Sequence, residues 1–232
     1  EDVLGDRLTV GTINVKTGYA GPTARITLRE AGHPVPDEAG MAGARAMLDL
    51  LRGATAEDLV IALISGGSSA LMTLPVEGVS LDDMQSLTGD LLRSGAPIQA
   101  INAVRKHLEQ LKGGQLARIA HPATVIALIL SDVVGSPLDV IASGPTVPDP
   151  TTYADAWGVI ERYELVDRLP PGIAQALRRG AAGETPDTPK PGDPALARVQ
   201  DVILADNARA AQAARREAEA LGFHALLLST YV

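Results

Sequence analysis

Three short polar stretches in this chain follow apolar runs, and each offers groups that could do chemistry. In Leu63–Ala70, "LISGGSSA", Ser65 precedes Gly66–Gly67 and the hydroxyls of Ser68 and Ser69. Glycines tolerate left-handed backbone and let a ligand approach the main chain, where exposed N–H groups bind anions. In "SDVVGSPLDVIASGPTVPDP", Ser131–Asp132 opens a stretch that continues through Asp139, Ser143, Gly144 and Thr146. A strand-end aspartate beside a phosphate suits Mg²⁺ or a substrate hydroxyl. The third stretch is Asp206–Asn207. Between them, Ile98–Lys112 sets Asn102, Arg105, Lys106, Glu109 and Lys112 opposite an apolar stripe of Ile98, Ile101, Val104, Leu108 and Leu111, with His107 nearby. An arginine fork there recognises phosphate or carboxylate, although the same charges also suit a solvated helix face. His33, in "GHPVPD", is read as structural. None of these stretches is a Walker A loop, a dinucleotide fingerprint or a nucleophile elbow, which disfavours a nicotinamide oxidoreductase and a serine hydrolase.

The elements that must position these groups alternate between two periods. Leu8–Val15 and Ala24–Ala31 have strand character around the turn-rich "KTGYAGPT". Asp58–Ser65, Ala123–Ser131 and Val199–Asp206 are continuous apolar runs, as expected of parallel strands covered on both faces, and "HALLLS" (224–229) is a fourth. Helices are expected over Asp37–Ala54, over Ser80–Gly95 with Ser80 as N-cap and Asp83 three residues on, over Ile98–Lys112 ending at Gly113–Gly114, over Thr151–Leu165, and over Asn207–Gly222. Pro170–Pro194 is expected to be a short helix followed by a Pro/Gly-rich surface excursion. Strands alternating with helices make an α/β fold: a mostly parallel sheet with helices on both faces and ligands at the carboxyl ends of its strands.

Composition narrows the function. The net charge of -8 and 3% aromatic content give nucleic acid neither a basic face nor a stacking platform. No apolar run reaches the length of a membrane span. The absence of cysteine removes disulfides, thiolate metal sites and cysteine nucleophiles, and fits a reducing cytoplasm. The start at Glu1 without a methionine and the stop in an apolar strand lead us to expect a domain cut at both ends.

In order and spacing, "EAGHPVPDEAG", "LISGGSSAL", "LLRSGAPIQAINAVRKHLEQLKGGQLA" and "SDVVGSPLDVIASGPTVPDP" resemble the glycerate 2-kinase family, whose members carry a DUF4147 N-terminal domain and a MOFRL C-terminal domain. The resemblance runs from about Gly11 to the end, and "INAVRKHLEQLKGGQLA" carries most of it. It implies a Rossmann-like, three-layer α/β/α sandwich over residues 1–232, with the MOFRL domain absent. It also implies an enzyme that uses ATP and Mg²⁺ to phosphorylate D-glycerate to 2-phosphoglycerate; beside it we expect a cytoplasmic setting and leave room for a homodimer. Residues and resemblance together assign Arg105, Lys106 and Asp132 to catalysis, Asp132 also to the metal. They assign Ser65, Gly66, Gly67, Ser68, Ser69, Asn102, Lys112, Ser131, Ser143, Gly144, Thr146 and Asn207 to binding of substrate or phosphate. The chain departs from the family pattern in lacking an upstream Gly-Lys-Ala-Ala segment, in having Ser68 for a glycine, and in having Gly135–Ser136 for Gly-Asp. The alternative is a non-catalytic α/β domain that holds a small organic anion. The 232 residues alone are expected to be inactive as a kinase. A coupled ADP-release assay with glycerate and Mg-ATP checks this, and clear turnover would overturn it.

Overall fold

Strands β1 (Gly11–Lys16) and β2 (Ile26–Ala31) pair in parallel from Gly11 against Ile26 to Lys16 against Ala31. Residues 17–25 join them with no helix, a shorter connection than parallel neighbours usually need. This computed structural model describes residues 1–230. Helix α1 (Glu38–Arg52) starts where the Asp37 carboxylate accepts from Gly40 N, and it stops at Gly53. There follow β3 (Leu59–Ile64), the single turn α2 (Ser68–Leu71) and α3 (Leu81–Arg93), whose Ser80–Asp83 capping box is complete. Then come α4 (Ile98–His107), α5 (Gln115–Ala120), β4 (Thr124–Leu130), α6 (Tyr153–Arg162), α7 (Pro171–Ala181), β5 (Val199–Ala205) and α8 (Asn207–Ala220).

The expected α/β class holds: parallel strands flanked by helices. Strands β3, β4 and β5 form one sheet in that order, with Leu59 opposite Thr124 and Val125 opposite Val199. Among the described residues the parallel strands fall into two sheets, of two and three strands. Helices α1 and α5 cover one face of the larger sheet, where Ala44, Leu48, Leu51, Leu116 and Ala120 pack with Val125. Leu59, Ile61 and Leu63 of β3 alternate with these covered positions and stay exposed, so β3 is not buried on both faces as its composition led us to expect. A second core lies wholly between helices: Leu87 and Leu91 of α3, Ile101 and Val104 of α4, Ile160 of α6, and Ile173 and Leu177 of α7.

Three expectations are corrected. The helix expected through Lys112 ends at His107. Beyond it Glu109 bridges Pro75, and Val76 N and Gln110 N donate to Leu108 O and Leu74 O, so the chain exchanges helix bonds for a short pairing with residues 74–76. Residues 224–229 form no strand, because no neighbouring ladder pairs with them, and Leu226 and Leu228 are exposed. Tyr231 and Val232 lie outside the described residues. The excursion after α7 is not a free surface loop: Thr188 is buried, Asp187 accepts from His107 Nε2 at 2.9 Å, and Lys190 Nζ donates to Thr188 and Asp187.

One tether sets the position of the turn after β3. Asn14 Nδ2 on β1 donates to Gly40 O of α1 at 3.0 Å and to Leu71 O of α2 at 2.7 Å. Gly43 leaves the room this requires: a Cβ there would stand 1.8 Å from Asn14 Oδ1. Gly43→Ala is therefore expected to cost about 1–3 kcal/mol by displacing the tether, a loss readable in urea unfolding; a neutral result would mean that Asn14 holds nothing essential.

Candidate functional site

A cleft of about 220 Å³ opens at the carboxyl ends of β3 and β4. Its walls are Ser65–Ser69 after β3, Ile98, Asn102 and Arg105 from α4, Asp132 and Val133 after β4, and Val140–Ala142. The parallel order of β3 and β4 puts both loops at one edge, and the spacing of Ile98, Asn102 and Arg105 puts those three on one face of α4. Of the residues expected at a site, the structure thus gathers Ser65, Gly66, Gly67, Ser68, Ser69, Asn102, Arg105 and Asp132.

The loop after β3 is built from its own polar groups. Ser68 Oγ donates to Ser65 O at 2.6 Å and closes the turn, so this hydroxyl serves the loop. Gly67 has φ 84°, a left-handed value that a side chain would strain. The N–H groups of Gly66 and Gly67 donate to nothing among the described residues. The Asp132 carboxylate lies against Gly66, where a Cβ would stand 2.5 Å from Oδ2. His33 lies against Gly67 in the same way, its ring 2.9 Å from the Cβ position. His33 is thus more than the structural residue its sequence context suggests, and its position just past the end of β2 is the signal that could find it.

Under the loop sits a buried ion pair. The Ser69 carbonyl accepts from Lys112 Nζ at 2.9 Å, Thr73 Oγ1 at 3.1 Å and Arg105 Nη2 at 3.2 Å. Lys112 Nζ also donates to Glu109 Oε1 at 2.5 Å, and Glu109 Oε2 accepts from Leu74 N at 2.7 Å. Lys112 and Glu109 are both fully buried. Burial pulls the Lys112 ammonium down to about 8; Glu109 beside it opposes that shift, and Arg105 adds to it. Arg105 reaches the cleft with its Nε buried and without a partner.

The other expected residues stand apart from the cleft. Lys106 is buried against Asp149 at 3.3 Å and Asp139 at 3.8 Å. With Asn102 and Lys112 also buried, the polar side of Ile98–Lys112 is not a solvated face; instead it is Ile98, from the apolar stripe, that is exposed and lines the cleft. Ser131 is buried and its Oγ accepts from Ser136 Oγ. Thr146 Oγ1 donates to Asp201 Oδ1, whose carboxyl burial pushes up and Thr146 restrains. Asn207 Nδ2 donates to Asp132 O at 3.3 Å and lines a neighbouring cavity of about 180 Å³ with Val133, Gly135, Ser136 and Asp206.

Residues 142–144 are held in unusual backbone. Ala142, Ser143 and Gly144 have φ of 53°, 61° and 61°. For the first two this costs about 1 kcal/mol or more each. What holds them is the "KGG" turn: Gly113 N donates to Ser143 O at 2.9 Å and Gly114 N to Gly144 O at 2.7 Å. Among the described residues no group of three or more His, Asp and Glu side chains could hold a metal by itself, and no helix is long and apolar enough to cross a membrane.

Comparison with known proteins decides the family. Residues 1–178 match the model of a domain of unknown function, DUF4147. The chain belongs to the DUF4147 family. It is 44% identical over 230 residues to glycerate 2-kinase of Pyrococcus horikoshii, covering 99% of this chain and 51% of that protein. It is 41% identical to D-glycerate 2-kinase of Thermotoga maritima, with coverages of 99% and 52%. The crystal structure of glycerate kinase from Thermotoga maritima superposes with a TM-score of 0.86 at 41% identity, covering 98% of this chain and 52% of that one. This DUF4147 chain spans about half the length of the curated relatives it matches.

The Lys112–Glu109 pair gives a test of how the loop is held. Lys112→Met leaves a buried carboxylate unpaired and is expected to cost about 3–5 kcal/mol in urea unfolding. Lys112→Met combined with Glu109→Gln should recover much of that loss, because a neutral amide can still accept from Leu74 N. The unfolded chain holds the lysine proton up to about 10.5, whereas the folded chain releases it near 8. Stability from this group therefore rises as pH climbs from 8 to 10.5, so the gap between wild type and Lys112→Met should widen across that range. A gap independent of pH would show that Lys112 is not buried as described.

Proposed function

We propose that this chain is the N-terminal domain of a glycerate 2-kinase, which transfers the γ-phosphoryl group of ATP to the 2-hydroxyl of D-glycerate. The supporting observation is the composition of the cleft. Gly66 and Gly67, whose N–H groups have no partner among the described residues, and Arg105 line it together with Asp132, the carboxylate among its lining residues, which likewise has no hydrogen-bond partner among those described. Phosphoryl transfer asks a protein mostly for positioning and charge neutralisation, and these groups supply both. The relatives' names support glycerate as the acceptor.

In this reading the substrate hydroxyl oxygen bonds to the γ-phosphorus as the bond to the β,γ-bridging oxygen breaks, and ADP carries that electron pair away. One Asp132 oxygen accepts the hydroxyl hydrogen bond and takes that proton as the new O–P bond forms. The Gly66–Gly67 N–H groups take phosphate oxygens, and the Arg105 guanidinium takes an anionic group of the substrate or nucleotide. Mg²⁺ suits this site, because the ion needs one or two carboxylates when phosphates and water supply its remaining ligands; Asp132 would hold it, and it would neutralise phosphate charge. The second wall of the cleft would come from the MOFRL half that the relatives' greater length leaves room for. A cytoplasmic setting agrees with the lack of cysteine. A binding domain for a small anion would use the same donors but perform no turnover.

In the full natural polypeptide, Arg105→Ala and Asp132→Ala should each lower kcat/KM for D-glycerate by about a hundredfold or more in a coupled ADP assay. Wild type that binds glycerate with no ADP release at all would establish the binding domain instead.

A further inference from the structure

Asn102 is 3% exposed, yet it lines the cleft. Its Oδ1 accepts from Ser143 Oγ at 3.1 Å. Its amide nitrogen meets no acceptor among the described residues and is not sealed from solvent, and the cleft is where Asn102 is open. A donor left accessible on an otherwise buried, fixed amide is free for a ligand to complete. Arg105 stands one turn further along the same face of α4. The two donors together match a small carboxylate, or the hydroxyl beside it.

What orients the amide is Ser143, which is fully buried and absent from the cleft lining. Ser143 occupies the left-handed segment 142–144, pinned by Gly113 and Gly114. In an ordinary backbone conformation its hydroxyl would point elsewhere. Strain of this kind persists where surrounding structure enforces it and function uses it.

We infer that Ser143 is a positioning residue: its strained backbone aims a hydroxyl at Asn102 Oδ1 and so presents Asn102 Nδ2 as the donor that selects a hydroxy-acid substrate. The inference rests on the kinase reading and names the residue that reads its acceptor. It also moves Ser143 from direct binding to support of Asn102.

Two replacements of Ser143 separate function from folding. Ser143→Ala keeps the strain and removes the hydroxyl; Ser143→Gly removes both. In the full natural polypeptide both should raise KM for D-glycerate by roughly threefold to tenfold, the loss expected for one oriented hydrogen bond, with a much smaller change in kcat. Their melting temperatures should diverge, Ser143→Gly lying above Ser143→Ala. A KM that follows melting temperature, or stays at the wild-type value in either variant, overturns the proposal. Asn102→Asp still accepts from Ser143 but offers no donor and adds a negative charge, so it should raise KM far more; a wild-type KM there also overturns it. If wild type phosphorylates no hydroxy acid, the kinase reading fails by itself. The side-chain amide protons of Asn102 then carry the test: their NMR signals should shift on titration with D-glycerate in wild type and shift less in Ser143→Ala. No shift in wild type, or equal shifts in both, rejects the assignment.

Discussion

The Ser69 carbonyl is the point on which this site turns. Three donors converge on one oxygen, two of them cationic, and the more deeply buried cation is itself held by a carboxylate. An isolated buried ammonium would be too costly to keep charged, and Glu109 is what makes Lys112 tolerable there. Glu109 in turn fixes Leu74 N, and with it the chain leaving α2. One buried pair therefore ties the loop after β3 to the segment after α4 and sets where Arg105 can reach.

A second layer of control lies in backbone that few residues adopt. Gly113 and Gly114, with φ of 58° and 80°, face the left-handed run from Ala142 to Gly144, and each side's hydrogen bonds hold the other in place. The two small-residue motifs, 112–114 and 143–146, thus meet as a matched pair of turns. Their meeting lets a strained serine and a buried asparagine keep one geometry while the cleft above them stays open.

The alternation of elements was legible in the sequence because it rests on local periodicity. Asp58–Ser65, Ala123–Ser131 and Val199–Asp206 contain β3, β4 and β5, and the Ser80–Asp83 box caps α3 as expected. That Ser65 and Asp132 share an edge also followed from parallel topology. The fate of the charges was not legible, because contacts far along the chain bury them: Lys106 at Asp149, Lys112 at the Ser69 carbonyl as well as at nearby Glu109, His107 at Asp187. Helical spacing made Ile98–Lys112 look like one amphipathic helix with a wet polar face. The actual end at His107 depends on pairing with residues 74–76, which no local pattern records. Residues 224–229 show the converse, a strand composition without a ladder.

Helix α8 buries none of its side chains. A helix of this length is marginal in water unless packing supports it, so its opening costs little compared with unfolding the helical core. Asn207, its first residue, is also the contact that holds the Asp132 carbonyl. The two strand-end loops of the cleft are thus held by unequal contacts. The loop after β3 rests on a buried ionic anchor, and the loop after β4 is held at Asp132 by the end of an exposed helix. The arginine side of the cleft is therefore the stiffer of the two, and the Asp132 side the more readily displaced.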